Sequence, residues 1–259
     1  METIYNSLQL REIFHLEFLR WLGRKLKAQY YALKGGSNLR FFFNSIRYSE
    51  DMDLDVEEIK KDTLAGIVMN ILKNPPFQDS LKPFGIERIV LPDMAKAKQT
   101  DTTQRFKVHL LTFAGDDLFA KIEFSRRGFC GDAAVQSVGD AVLRQYKLPP
   151  LVTPHYDIHS AITQKIGALA VRAVVQARDI FDLYILAPQY KHNKREGFNI
   201  SKERIKTAHK NMFTVTYGQF KDAVVAYLLP EDQAVYADKA LWDEIVLKTA
   251  DFIEELAKG

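Results

Sequence analysis

Between residues 6 and 29 the apolar positions Leu8, Phe14, Phe18, Leu19, Trp21, Leu22 and Leu26 recur at helical spacing among Arg, Glu, Lys and Gln. That pattern predicts a long helix with a basic end, one face of which covers a sheet. A short apolar run ending at Ala32 and Leu33 then leads through Gly35-Gly36 into a helix over about 37–44 and a strand over about 51–56. Residues 57–74 carry Leu64, Ile67, Val68, Ile71 and Leu72 at helical spacing, and Asn74-Pro75-Pro76 stops that helix. From 84 to 125 the period changes to two. Strands are predicted over 84–91, over 102–113 with Phe106, Val108 and Leu110 on one side, and, after the turn Gly115-Asp116-Asp117, over 118–125. In the last of these Leu118, Ala120, Ile122 and Phe124 face one way, while Phe119, Lys121, Glu123 and Ser125 face the other. Residues 126–150 are punctuated by Gly and Pro and end in Leu148-Pro149-Pro150, a plausible junction. Beyond it helical periodicity dominates: Asp157 to Val175, Ala177 to Leu186, a helix capped by Ser201, Tyr217 to Leu229, and a last helix opened by Pro230 and running to about 257. Lys191 to Asn199 reads as a basic loop.

Composition narrows the class without naming a chemistry. The 259 residues suffice for one large domain or two modest ones, and 47% hydrophobic with 27% charged residues is ordinary for a globular protein. No apolar run approaches the ~20 residues of a membrane span, and the N-terminus lacks the charged and apolar regions of a signal peptide, so the expected address is cytoplasmic. A single cysteine, Cys130, forms no internal disulfide. The net charge of +3 does not by itself argue for a polyanionic partner. The clusters Arg20-Arg24-Lys25-Lys27, Arg126-Arg127 and Lys191-His192-Lys194-Arg195 with Lys202-Arg204-Lys206 read as solvated faces or as basic surfaces.

The stretch 33–56, LKGGSNLRFFFNSIRYSEDMDLDV, is where the candidate chemistry concentrates. Gly35 and Gly36 permit a tight turn with exposed backbone N–H groups, and Ser37 is placed to cap the following helix, which makes a phosphate-sized pocket. Thirteen residues after Ser37 comes Asp51-Met52-Asp53-Leu54. Strand periodicity points Asp51 and Asp53 to one face and Met52 and Leu54 to the other. Two carboxylates near a phosphate cradle suit Mg²⁺, which takes oxygen ligands and sits between carboxylates and substrate phosphates.

Gly-Ser followed by a spacer and Asp-hydrophobic-Asp resembles the signature of the polymerase-β-like nucleotidyltransferase superfamily. Lys34-Gly35-Gly36-Ser37-Asn38-Leu39-Arg40 followed by Arg47-Tyr48-Ser49-Glu50-Asp51-Met52-Asp53-Leu54 resembles, more narrowly, the AbiEii/AbiGii toxin family. Tyr156 to Arg172, a helix bearing Lys165 and then an Ala and an Arg, resembles that family's third motif. Arg178-Asp179-Ile180-Phe181-Asp182-Leu183 resembles its fourth. The resemblance implies an α/β fold of the α+β kind: a nucleotidyltransferase mixed sheet with flanking helices over 1–150, followed by a helical C-terminal domain over 151–259 that completes an active-site cleft. It implies NMP transfer from an NTP with two metal ions, Mg²⁺ or Mn²⁺. Asp51 and Asp53 would bridge them, and Glu123 would be the third carboxylate, its other reading being a surface glutamate paired with a neighbour. The amides of Gly35, Gly36 and Ser37 would hold phosphates, and Lys34, Arg47 and Ser49 enter as nucleotide-binding candidates. Lys165 would add charge, with Asp182 positioning it or a substrate hydroxyl. Some family members are growth-arresting toxins encoded beside an antitoxin, and tRNA acceptor ends are modified by related enzymes. The family's Gly-Gly-Thr-Ala-Leu-Arg wording is here Gly-Gly-Ser-Asn-Leu-Arg, and Asp55 creates a rival register, Asp53-Leu54-Asp55.

A protein-modifying nucleotidyl- or phosphotransferase and a non-catalytic nucleotide-binding module remain alternatives. His155 and His159 are four apart, as zinc ligands on a helix can be, but no third ligand follows at a suitable spacing. Cys130 has no His-plus-Asn partner pattern, and a Walker-type loop is missing, which argues against a P-loop NTPase.

Overall fold

The computed structural model describes residues 5–191 and 200–258. By its internal contacts the chain divides into two compact units, Met1–Phe42 with Tyr48–Tyr156, and Phe43–Arg47 with Asp157–Gly259.

The first unit opens with α1 (Ser7–Gly23), started by a reciprocal capping box between Asn6 and Gln9. The helix is shorter than its periodicity suggested. It ends at Gly23, a poor helix former, and a 3₁₀ turn at Ala28–Tyr30 then delivers the chain to β1 (Tyr31–Lys34). Next come α2 (Gly35–Phe42), β2 (Asp51–Val56) and α3 (Lys61–Lys73). α3 starts four residues later than predicted because Glu58 takes a left-handed backbone, φ 54°, which no helix can include. Asn74-Pro75-Pro76 ends α3 as expected but also opens α4 (Pro75–Leu81), since proline is tolerated in a first helical turn. β3 (Ile86–Val90), β4 (Thr103–Thr112) and β5 (Asp117–Ser125) fall where the period-two alternation put them. Two strands were not foreseen, β6 (Ala133–Ser137) and, after α5 (Asp140–Gln145), β7 (Val152–Tyr156).

These strands form one mixed sheet in the order β3-β4-β5-β2-β1-β7-β6. β2 runs antiparallel to β1 and parallel to β5, and β7 runs parallel to β1. One sheet face is apolar: Met52, Leu54, Phe106, Val108, Leu110, Ala120, Ile122 and Phe124 are buried with Phe14, Phe18, Leu19 and Leu22 of α1 and Leu64, Val68 and Leu72 of α3. The alternation that buries these residues leaves their strand neighbours on the opposite, polar face.

The second unit contains α6 (Ile158–Val171), α7 (Ala177–Leu186), α8 (Lys202–Met212), α9 (Tyr217–Ala223), α10 (Pro230–Tyr236) and α11 (Lys239–Lys258). Asp157 and Ser201 cap α6 and α8 through bonds from Ser160 N and Arg204 N. The predicted 217–229 helix breaks at Val224, and the predicted final helix is two, since Asp238 bonds Ala240 N and starts a fresh one. Its core includes Phe181, Phe220 and Trp242, the last two stacked with centroids 4.4 Å apart. The predicted basic loop lies, apart from Lys191, outside the described residues.

Candidate active site

β1 and α2 meet at Gly35, whose φ of +68° and close approach to β2 both exclude a side chain: a Cβ there would stand 3.0 Å from Asp53 Oδ2. α2 begins at Gly35, so Gly35, Gly36 and Ser37 form its first turn, whose N–H groups have no partner within the helix. Ser37 is therefore inside the helix rather than capping it. Its hydroxyl donates to the Asp51 carbonyl (3.1 Å), as does that of Ser49 (2.8 Å). Two hydroxyls thus fix the backbone from which the first carboxylate projects.

β2 aligns Asp51 with Lys121 and Asp53 with Glu123 of β5, while β4 sets Arg105 opposite Glu123. Directly opposed residues share a face, so Asp51, Asp53, Glu123, Lys121 and Arg105 occupy one patch of the polar sheet surface. Lys121 Nζ lies 2.6 Å from Asp51 Oδ2, and Arg105 lies 2.7 Å from Glu123 Oε2. Burial, then the charges of Asp51 and Glu123, push the Asp53 carboxyl above its ordinary value, against the opposing pull of Lys34 and Lys121. Asp55, on the same side of β2, is in a different setting. It is buried, ion-paired with Lys34, and accepts a bond from the Tyr156 hydroxyl (2.7 Å), which in turn accepts from Cys130 N (2.8 Å).

Among the described residues no group of three or more His, Cys, Asp or Glu side chains converges as a metal ion requires. Asp51 and Glu123 are turned onto cations. The donor set nonetheless fits a divalent cation in kind, being three hard-oxygen carboxylates at adjoining register positions whose mutual repulsion is felt at Asp53.

The other predicted residues lie in the second unit. Lys165, expected to reach phosphates, is buried with its ammonium 3.0 Å from Asp179 and 2.5 Å from Asp182. Asp182 is fully buried and also accepts from Arg47 Nε (3.3 Å) and Nη2 (3.1 Å), and Arg172 pairs with Asp179 at 2.8 Å. Burial alone would raise the Asp182 carboxyl and lower the Lys165 ammonium. For Asp182 the charges of Arg47 and Lys165 outweigh burial and hold it low; for Lys165 those of Asp182 and Asp179 hold it high. Arg47, Lys165, Asp179 and Asp182 thus form a mutually neutralising buried network rather than an open binding surface.

Lys121, Arg105 and Tyr156 were not singled out from sequence. The alternation that placed Glu123 also places Lys121 beside it. The partners of Arg105 and Tyr156 depend on strand pairing that local pattern does not encode.

No curated protein sequence matches the chain. Among solved structures it is similar to JHP933 from Helicobacter pylori, with 20% identity and a TM-score of 0.62, covering 99% of this chain and 94% of that one. It is likewise similar to MenT4, a nucleotidyltransferase toxin from Mycobacterium tuberculosis, with 16% identity and a TM-score of 0.59, covering 97% and 87%. At such identities these likenesses establish the fold. The sequence of residues 17–251 matches the family described as nucleotidyl transferase AbiEii toxin, type IV toxin–antitoxin system. The chain belongs to that family and is a nucleotidyltransferase.

Proposed function

We propose that the chain transfers a nucleoside monophosphate from an NTP to a hydroxyl of an RNA acceptor of tRNA type, acting in the cytoplasm as the toxin of a pair with a cognate antitoxin. The observation that carries the chemistry is the alignment of Asp51, Asp53 and Glu123 on one face of paired strands, with Asp53 packed against the Gly35 turn. Asp51, Asp53 and Glu123 would hold the divalent cation, Mg²⁺ or Mn²⁺, which when bound supplies charge neutralisation at the α-phosphate and a lowered pKa for the attacking hydroxyl. The first turn of α2 offers the amides of Gly35, Gly36 and Ser37 to the β and γ phosphates, the arrangement by which helix N-termini bind anions. The hydroxyl oxygen attacks the α-phosphorus, the bond to the β-phosphate oxygen breaks, and pyrophosphate leaves. Ser37 and Ser49 fix the Asp51 backbone, and Lys34 is engaged with Asp55. In the second unit Arg47, Lys165 and Asp182 are engaged with one another, so their part in this reading is to hold that unit together rather than to touch substrate.

The test is to incubate the chain and its Asp51→Asn variant with Mg²⁺, each labelled NTP in turn and total bacterial tRNA, and to resolve products on a denaturing gel. Label on RNA with the unaltered chain only supports the reading and names the nucleotide. Label on protein moves the acceptor to a polypeptide. Equal labelling by the variant removes Asp51 from the site.

A further inference from the structure

On the polar face of the sheet the carboxylates are already matched to cations. Lys121 stands opposite Asp51 in register and touches it, and Arg105 stands opposite Glu123 and touches it. Both pairs are part-exposed, with Lys121 and Arg105 side chains 20% and 32% accessible, so neither is locked in place as the second unit's network is. Asp53, between them, has no ion pair among the described contacts. A cation entering at Asp53 would draw on the same carboxylates, Asp51 and Glu123, whose Oδ2 and Oε2 Lys121 and Arg105 now hold.

We propose that Lys121 and Arg105 compete with a divalent cation for Asp51 and Glu123 and, when displaced, turn their charges to the phosphates of the substrate. They are positioning and binding residues of the reaction, and the exchange couples metal entry to triphosphate binding. A chain with its carboxylates neutralised by its own side chains binds metal weakly until the triphosphate arrives, because the displaced cations regain a partner only then. The inference rests on Asp51, Asp53 and Glu123 being the cation ligands, as proposed above.

The experiment is Mn²⁺ binding to the full chain, read from the electron paramagnetic resonance signal of free Mn²⁺, for the unaltered chain and for Lys121→Met, Arg105→Gln and Asp53→Asn. A second measurement titrates the Mn²⁺ complex of inorganic triphosphate by calorimetry, and circular dichroism confirms folding. Removal of one part-exposed ion pair corresponds to about fivefold in an equilibrium constant. Lys121→Met is therefore expected to bind Mn²⁺ about fivefold more tightly and the triphosphate complex about fivefold more weakly. Arg105→Gln should do the same independently, so the result survives if one variant fails to fold. Opposite movement of the two affinities is what a purely structural role does not produce. Mn²⁺ binding lost in Asp53→Asn but unchanged or weakened in both cation variants overturns this inference alone. Mn²⁺ binding indifferent to Asp53→Asn, or missing in the unaltered chain with and without triphosphate, overturns the carboxylate assignment and this inference with it.

Discussion

Replacing Asp182 by Asn tests whether the Lys165 network is a scaffold or a substrate contact. Asp182 is fully buried and answers two cations, Arg47 and Lys165. The four buried groups, Arg47, Lys165, Asp179 and Asp182, sum to zero; the substitution leaves them at +1 in a buried setting, with the more exposed Arg172 beside Asp179. Lys165 keeps Asp179, but Arg47 loses the carboxylate it grips through Nε and Nη2. Breaking a buried pair by removing one partner costs about 3–5 kcal/mol, and the retained Asp179 argues for the lower end, about 3 kcal/mol. For a chain of this size that lowers the Tm by roughly 6–12 °C. Differential scanning fluorimetry at pH 7 measures it, with Lys165→Met expected to fall similarly because it strips a cation from two buried carboxylates. Both effects hold across mid-range pH. A depressed Asp182 loses its contribution only as pH falls through its folded pKa, below the ordinary 3.8, and a raised Lys165 only as pH rises through its own, above 10.5. An Asp182→Asn protein with unchanged Tm but abolished turnover would refute the scaffold assignment and return Asp182 to direct contact with substrate.

Three further outcomes are expected. Gly35→Ala should lose about 1–2 kcal/mol from the left-handed backbone and more than tenfold in turnover from the push on Asp53; full turnover would show that Asp53 tolerates displacement. Asp55→Asn should lower stability by about 2 kcal/mol by leaving Lys34 unpaired while keeping transfer, whereas Asp53→Asn should leave stability equal or higher while abolishing transfer, since it relieves repulsion; transfer lost in Asp55→Asn but kept in Asp51→Asn would favour the Asp53/Asp55 register. His15 is fully buried, and burial followed by the charge of Arg11 pulls its pKa from 6.5 to about 3. Below pH 6.5 the unfolded chain takes up a proton that the folded chain refuses until about pH 3, so stability falls as pH falls through that window, by about 2 kcal/mol between pH 7.5 and 5. Urea titrations across that range should show the slope, and His15→Gln should flatten it; an unchanged slope would assign it to other groups.

Much of the fold was legible because burial on one sheet face writes itself into the chain as alternation. Met52 and Leu54 against Asp51, Asp53 and Asp55, and Ala120, Ile122 and Phe124 against Lys121, Glu123 and Ser125, are the same rule on two neighbouring strands. β7 is hard to see in the sequence because it is five residues long with a proline at 154, and it lies between the junction ending at Pro150 and the helical pattern that starts at Asp157. What makes it a strand is remote: Leu33 of β1 on one side, and on the other β6, whose Val135 stands opposite Pro154. Helix ends were missed for a related reason. Periodicity continued through Gly23 and back to Glu57, but the chain left the helix where a weak residue or a left-handed one stood.

The motif residues show where sequence reading stops more sharply. Asp51 and Asp182 are both aspartates in family motifs, and spacing treats them alike. In the folded chain Asp51 is part-exposed on a sheet face, paired with a part-exposed lysine, while Asp182 is sealed beside an arginine that lies 135 positions away in sequence. That difference decides their chemistry. A carboxylate whose partner is solvent-accessible can trade it for a metal at small cost, and one whose partners are buried can trade only by leaving a charge unpaired in a low-dielectric interior. The motif therefore marks two kinds of requirement with the same letter. On the function proposed above, one is for oxygens that open to substrate, as at Asp51. The other is for a charge that stays paired, as at Asp182. Loss of activity on mutation does not distinguish them; loss of stability does.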